Sequence, residues 1–196
     1  MKRTIASAAF VALMTMGIAH AEEPRWTVLV DGKSLGDFNR VGSANWRVED
    51  GAIVADKLDG KDPAYLVTKT KYKNFQIHAE FWTDEEANSG IFIRCSNPAK
   101  IDAALCYEVN IFDKRPDPTY GTGAIVDVAK VVPMPKAAGK WNDYDITAHD
   151  NHFTVVLNGQ KTVDVDNDRL PNAGNVGLQY GSGVVKFRKV HIRELP

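Results

Sequence analysis

Cysteine is scarce in this chain, with two among 196 residues. That is too few for a disulfide-framed small fold or a four-cysteine zinc site. An excess of charge of either sign is missing too. The 24 Lys and Arg stand against 25 Asp and Glu, a formal net charge of −1. This removes the broad electrostatic case for nucleic acid or an anionic membrane as partner. There is no phosphate-binding P-loop and no G-x-G-x-x-G. Internal repeats, low-complexity tracts and long helical periodicity are absent as well. What is present is a globular composition: 25% charged, 44% hydrophobic and 9% aromatic. The length suits one domain, two at most.

Residues 1–21 read as a signal peptide. Lys2 and Arg3 precede an apolar run centred on Ala8–Ile18, and Ala19-His20-Ala21 fits a small-x-small cleavage site before Glu22-Glu23-Pro24. The run is shorter than the roughly 20 residues a membrane span needs, so cleavage is expected rather than anchoring. A bacterial export route to the periplasm or beyond follows, with residues 22–196 as a single domain. The destination is oxidising, so Cys95 and Cys106 are expected to pair at the ends of two strands; two unpaired thiols are the alternative.

The rest of the chain alternates. Phe75–Trp82 sets Phe75, Ile77, Ala79 and Phe81 on one face. Gly90–Arg94, Tyr107–Phe112, Tyr144–Ala148, Phe153–Leu157, Val176–Tyr180 and Val184–Ile192 continue the pattern. Period 2 over such lengths predicts half-buried strands. Asp50-Gly51 and Asn158-Gly159, each between two such runs, predict tight hairpins, and Asp150-Asn151 offers another turn. Lys114–Gly121, with Pro116 and Pro118, is too polar and stiff for a strand and predicts a surface loop. The fold class expected is all-β, a two-sheet antiparallel sandwich or jelly roll.

Alternation places Glu80 and Trp82 away from the core on one strand, Phe92 and Arg94 on a second, and Glu108 and Asn110 on a third. Gln179 is able to join them. Carboxylates, amides, a guanidinium and aromatic planes on one face suit a sugar: rings pack on aromatic faces and polar groups bond the hydroxyls. The competing reading is a solvated face with ordinary cross-strand ion pairs. Asp113 lies five residues beyond Glu108, so only a bulge or a strand end brings the two carboxylates together. Joined, they divide acid and base roles; apart, Asp113 is a turn residue. His149 and His152 lack the helix spacing of a zinc motif. Asp164, Asp166 and Asp168 lack the glycine and glutamate of a calcium loop. No metal or cofactor is expected.

Asn88-Ser-Gly-Ile-Phe-Ile-Arg94, Tyr107-Glu-Val-Asn-Ile-Phe-Asp113 and Thr122-Gly-Ala-Ile125 resemble motifs of the 3-keto-disaccharide hydrolase domain family. Gly139–Tyr144, Leu157-Asn-Gly159, Gly177–Gly181, Leu29–Leu35, Trp46–Gly51 and Phe187–Ile192 continue the likeness in order, over nearly all of residues 22–196. The resemblance implies a concanavalin-like jelly roll, export, and hydrolysis of glycosides oxidised at C3. It implies catalytic roles for Arg94, Glu108 and Asp113, and substrate contacts from Glu80 and Gln179. Asn110 stands where much of the family has glutamine, and Tyr180 where histidine is common. The expected chemistry is elimination followed by addition of water, with Glu108 as base and Asp113 as acid, or the two exchanged, and Arg94 with Asn110 or Gln179 at the oxyanion; direct displacement with two carboxylates is the alternative. The rivals are a non-catalytic carbohydrate-binding module and an envelope interaction domain.

Overall fold

The computed structural model describes residues 25–196. The expected signal peptide, residues 1–21, lies outside them. The described residues form thirteen strands: β1 Thr27–Val30, β2 Phe38–Val41, β3 Arg47–Glu49, β4 Ala52–Ala55, β5 Ala64–Thr68, β6 Phe75–Thr83, β7 Ser89–Cys95, β8 Tyr107–Ile111, β9 Trp141–His149, β10 His152–Leu157, β11 Gln160–Asp166, β12 Asn175–Tyr180 and β13 Val185–Glu194. The loop after β8 holds one 3-10 turn, Pro118–Tyr120, capped by the Asp117 side chain accepting from the Thr119 amide.

Two antiparallel sheets face each other. The larger runs β11-β10-β9-β6-β13-β4-β3, with β1 also pairing with β13; the smaller runs β2-β5-β12-β7-β8. Asp50 and Gly51 have φ of 50° and 75°, and Asn158 and Gly159 have 50° and 77°. A type I′ hairpin needs positive φ at both central residues, and Asp-Gly and Asn-Gly supply it at low cost. Beyond β8 the smaller sheet gains one more run. Asn110 N–H donates to Ala124 O, Gly123 N–H to Asn110 O and Val126 N–H to Glu108 O.

β6 explains the core. Phe75, Ile77, Ala79 and Phe81 are fully buried, while Gln76, His78, Glu80 and Trp82 alternate with them. Tyr144, Ile146 and Ala148 of β9 join the same layer. Against it pack Leu66, Ile91, Ile93, Tyr107, Val109, Val176 and Leu178 of the smaller sheet. Each large side chain buried there contributes roughly 1.5–3 kcal/mol. Cys95 and Cys106 are disulfide-bonded, as expected. They sit on the other face of the smaller sheet, in a second apolar cluster with Tyr65, Val67, Phe92 and Ile101.

The strands differ from plain alternation at one place that matters. Phe92 pairs with Gly177 but Cys95 with Asn175, so three steps along β7 match two along β12. This is a bulge, with Arg94 at φ 51°. The extra residue turns Arg94 toward the interior, beside Ile93, and returns Cys95 to the outer face.

Candidate active site

The outer face of the smaller sheet carries the polar cluster. Tyr65 of β5 lies opposite Gln179 of β12. Phe92 of β7 lies opposite Glu108 of β8, and Gly90 opposite Asn110. Gly90 matters because it has no side chain. A Cβ there would stand 3.4 Å from both Glu108 Cγ and Phe92 Cε2, and 3.1 Å from Val109 O. The bare backbone lets Glu108 and Phe92 lean across β7, and Phe92 reaches Tyr65 edge-on with centroids 5.3 Å apart.

Glu108 is only 9% exposed, and its carboxyl makes no hydrogen bond or ion pair with the described residues. Burial pushes its pKa up from 4.5 to about 7; the charge of Arg115 opposes the rise and that of Asp127 adds to it. A carboxyl so placed exchanges a proton near neutrality. Tyr65 is held above its usual phenol range, chiefly by burial, so it stays protonated.

The two amides frame the carboxyl with acceptors. Gln179 Nε2 donates to the Tyr65 hydroxyl at 3.3 Å, and Asn110 Nδ2 donates to Tyr120 O at 2.6 Å. Gln179 Oε1 and Asn110 Oδ1 are buried without a partner among the described residues. Buried acceptors left open cost about 1–3 kcal/mol each, and a ligand hydroxyl would satisfy them. Asn110 is held from behind as well, its carbonyl accepting from the Tyr144 hydroxyl at 2.7 Å.

Four of the residues expected on one face therefore share it: Phe92, Glu108, Asn110 and Gln179. Four do not. Arg94 is turned inward by the bulge. Its guanidinium donates to Lys73 O at 2.7 and 2.9 Å, to Asp150 O at 2.5 Å and to Leu170 O at 3.4 Å, and lies over the Phe153 ring. It fastens three loops and does not stand beside Glu108. Glu80 and Trp82 belong to the larger sheet, on the far side of the sandwich. Glu80 bonds Arg188 and Lys189 there, each at 2.6 Å. Strand alternation says which face a residue takes within its sheet, not which sheet the strand joins.

Asp113 follows the end of β8, and its carboxylate is fully engaged. Oδ1 accepts from Thr122 Oγ1 at 2.6 Å; Oδ2 accepts from the amides of Ala137 and Ala138 at 2.9 and 3.0 Å. It lines a cleft of about 310 Å³ with Glu85, Lys114, Lys136 and Ala138. Of the two readings the sequence left open for Asp113, no contact with Glu108 is present among the described residues; Arg115 and Asp127 are the charges that act on Glu108.

Tyr65, Gly90, Arg115 and Asp127 escaped the sequence reading. Ala64-Tyr-Leu-Val-Thr68 is a short continuous apolar and β-branched run, the signature of a fully buried strand, and would have revealed β5. Gly32-Lys-Ser-Leu-Gly36 spells the G-x-S-x-G pattern of a serine nucleophile elbow. Ser34, however, lies in an exposed loop between two strands, its Oγ accepting from the Gly36 amide at 3.2 Å. The strand-to-helix turn that pattern requires is not there. Among the described residues no group of three His, Cys, Asp or Glu is placed to hold a metal ion. His152 instead bonds Asp164 and Asp166, at 3.0 and 2.7 Å.

Two antiparallel sheets packed face to face, with the polar cluster on the outer face of the smaller one, define a jelly-roll β-sandwich of the galectin and concanavalin type. The chain belongs to the family of 3-keto-alpha-glucoside-1,2-lyase-like domains, whose sequence profile matches residues 25–193. A 3-keto-disaccharide hydrolase of Bacteroides thetaiotaomicron is 25% identical over 169 residues. That match takes in 71% of this chain but 57% of the relative, so the chain spans little more than half the relative's length. A crystal structure of a candidate glycosyl hydrolase from Parabacteroides distasonis aligns with a TM-score of 0.69 and 25% identity, over 87% of this chain and all of the other. The carbohydrate-binding module CBM66 of Bacillus subtilis aligns with a TM-score of 0.61 and 13% identity, over 86% and 95% of the two chains, a likeness of fold.

Proposed function

We propose that this chain is an exported enzyme that cleaves 3-keto-glycosides, and that Glu108 moves the proton. The observation that carries the reading is the Glu108 carboxyl itself: buried, unpartnered and flanked by open amide acceptors. The family relationship supplies the substrate class, and the N-terminal pattern and the disulfide support export. No helix of the described residues is long and apolar enough to cross a membrane.

A ketone at C3 of the sugar acidifies the hydrogen at C2. Glu108 as carboxylate takes that proton, and the electron pair forms an enediolate with the ketone oxygen. Collapse of the enediolate expels the C1 substituent, which leaves with the proton that Glu108 has just taken, returning Glu108 to its carboxylate. Water then adds across the new double bond, so the net reaction is hydrolysis. Tyr65, protonated and with its oxygen already accepting from Gln179, donates to the oxygen where charge develops. Asn110 Oδ1 and Gln179 Oε1 take the sugar hydroxyls. Phe92 and the apolar cluster beside it keep the site dry. Arg94 and Asp113 serve as framework, fastening the loops on which this face depends.

The test is incubation of the purified protein with a 3-keto-disaccharide and with its unoxidised parent, following released sugar by chromatography. Release from the keto form alone is expected. Its kcat/KM should rise with pH to a plateau, with a midpoint near the Glu108 value of about 7. Saturable binding of both sugars without product from either would replace this reading with that of a sugar-binding module.

A further inference from the structure

The opposite face of the molecule holds a second cluster that the Glu108 site does not use. On the outer side of the larger sheet, three strands set side chains in register. Trp141 of β9 lies opposite Trp82 of β6, Asp143 opposite Glu80, and Asp145 opposite His78. From β13 come Lys186 opposite Trp82, Arg188 opposite Glu80 and His191 opposite His78. A cleft of about 200 Å³ opens here, lined by His78, Glu80, Trp141, Asn142 and Asp143.

The chemistry of this cleft is specific. Arg188 covers one face of Trp141, with its guanidinium carbon 3.8 Å from the ring centroid, and also bonds Glu80. It does not line the cleft, so the ring presents its remaining surface there. Glu80 is neutralised by Arg188 and Lys189. His78 Nδ1 is held by Asp145 at 2.9 Å, while its Nε2 and the Asp143 carboxylate have no partner among the described residues. The charges are largely paired, and what remains open is an aromatic surface beside hydrogen-bonding groups. That combination matches a neutral polyhydroxylated ring better than an ion.

We propose that this face is a second carbohydrate-binding site, for one ring of a neutral oligosaccharide, separate from the Glu108 face. Sites for drug-sized ligands run to about 300–1,000 Å³, so this smaller, shallower cleft holds its ligand weakly. The sandwich stands between the two faces, so a single short sugar does not touch both. The site holds a longer glycan against the protein and raises the local concentration of material for the other face.

The experiment is a titration of the purified, isotopically labelled protein with maltoheptaose, cellohexaose and, as a charged comparator, a polygalacturonate oligomer. The Trp82 and Trp141 indole N–H resonances are the readout. At least one neutral oligosaccharide should shift both, with a dissociation constant in the millimolar range. Trp141→Ala should weaken binding at least tenfold. Asp143→Ala, whose carboxylate supports no contact in the fold, should do the same with thermal stability and disaccharide turnover unchanged. Glu108→Gln should leave the shifts intact, which separates this site from the proposed active site whether or not that site turns over. The proposal is overturned if neither neutral oligosaccharide shifts the two indoles, or if only the polygalacturonate does. Loss of the shifts in Glu108→Gln, or sedimentation showing that this face is consumed in a dimer, would overturn it equally.

Discussion

Replacing Glu108 by glutamine keeps the shape of the side chain and removes its charge, which isolates the cost of ionising it in place. In the folded protein its pKa is raised from 4.5 to about 7. At 1.36 kcal/mol per pH unit, holding the carboxylate there costs the fold about 3 kcal/mol. The sign follows from proton binding. Between these two values the folded state holds a proton that the unfolded chain has released. The contribution of the neutral carboxyl is therefore complete below about pH 4.5, declines as pH rises toward about 7, and is gone above it. Glutamine carries no such dependence. The variant should match the parent near about pH 4 and exceed it by about 3 kcal/mol near about pH 8. For a domain of this size that corresponds to roughly 6–12 °C in Tm. Urea denaturation with the disulfide intact, repeated across that range, measures the difference directly. Equal stability differences at both ends of the range would refute a buried, unpartnered carboxyl at this position. The same variant should lose turnover of the 3-keto substrate while its circular dichroism stays native.

Two further substitutions separate chemistry from framework. Tyr65→Phe removes the proposed donor to the developing oxyanion and leaves the ring packed on Phe92; kcat should fall about 10²-fold with KM nearly unchanged, by the scale of other single oxyanion donors. A fall in affinity alone would make Tyr65 a binding residue. Asp113→Ala strands the Thr122 hydroxyl and the amides of Ala137 and Ala138, and should cost roughly 3 kcal/mol by denaturation, with faster amide exchange at residues 137 and 138. Asp113→Asn retains one acceptor and should keep turnover within tenfold. Abolished turnover in a stable Asp113→Asn protein would return Asp113 to the role of proton donor.

Much of this protein was legible one residue at a time. The alternation of Phe75–Trp82 became β6 with its four fully buried positions, because a pleated strand sends neighbours to opposite faces whatever lies around it. Asp50-Gly51 and Asn158-Gly159 became hairpins, because few residue pairs tolerate positive φ twice in succession. The shared face of Phe92, Glu108, Asn110 and Gln179 was also legible, since these residues lie on neighbouring strands of one sheet in regular register.

Tertiary structure decided the rest. β6 and β7 follow one another in sequence yet belong to different sheets, so Glu80 and Trp82 ended on the far side from Glu108. Sheet membership depends on which apolar faces meet across the core, and no local period encodes it. One extra residue in β7 turned Arg94 from the outer face into the interior; a bulge leaves no trace in composition. Asp113 was drawn to Thr122, Ala137 and Ala138 because the loops after β8 fold back on it. The raised pKa of Glu108 belongs to the fold alone. The sequence supplied a glutamate on a strand; in the fold its side chain and that of Phe92 pack beside the bare backbone of Gly90, and burial raises its pKa.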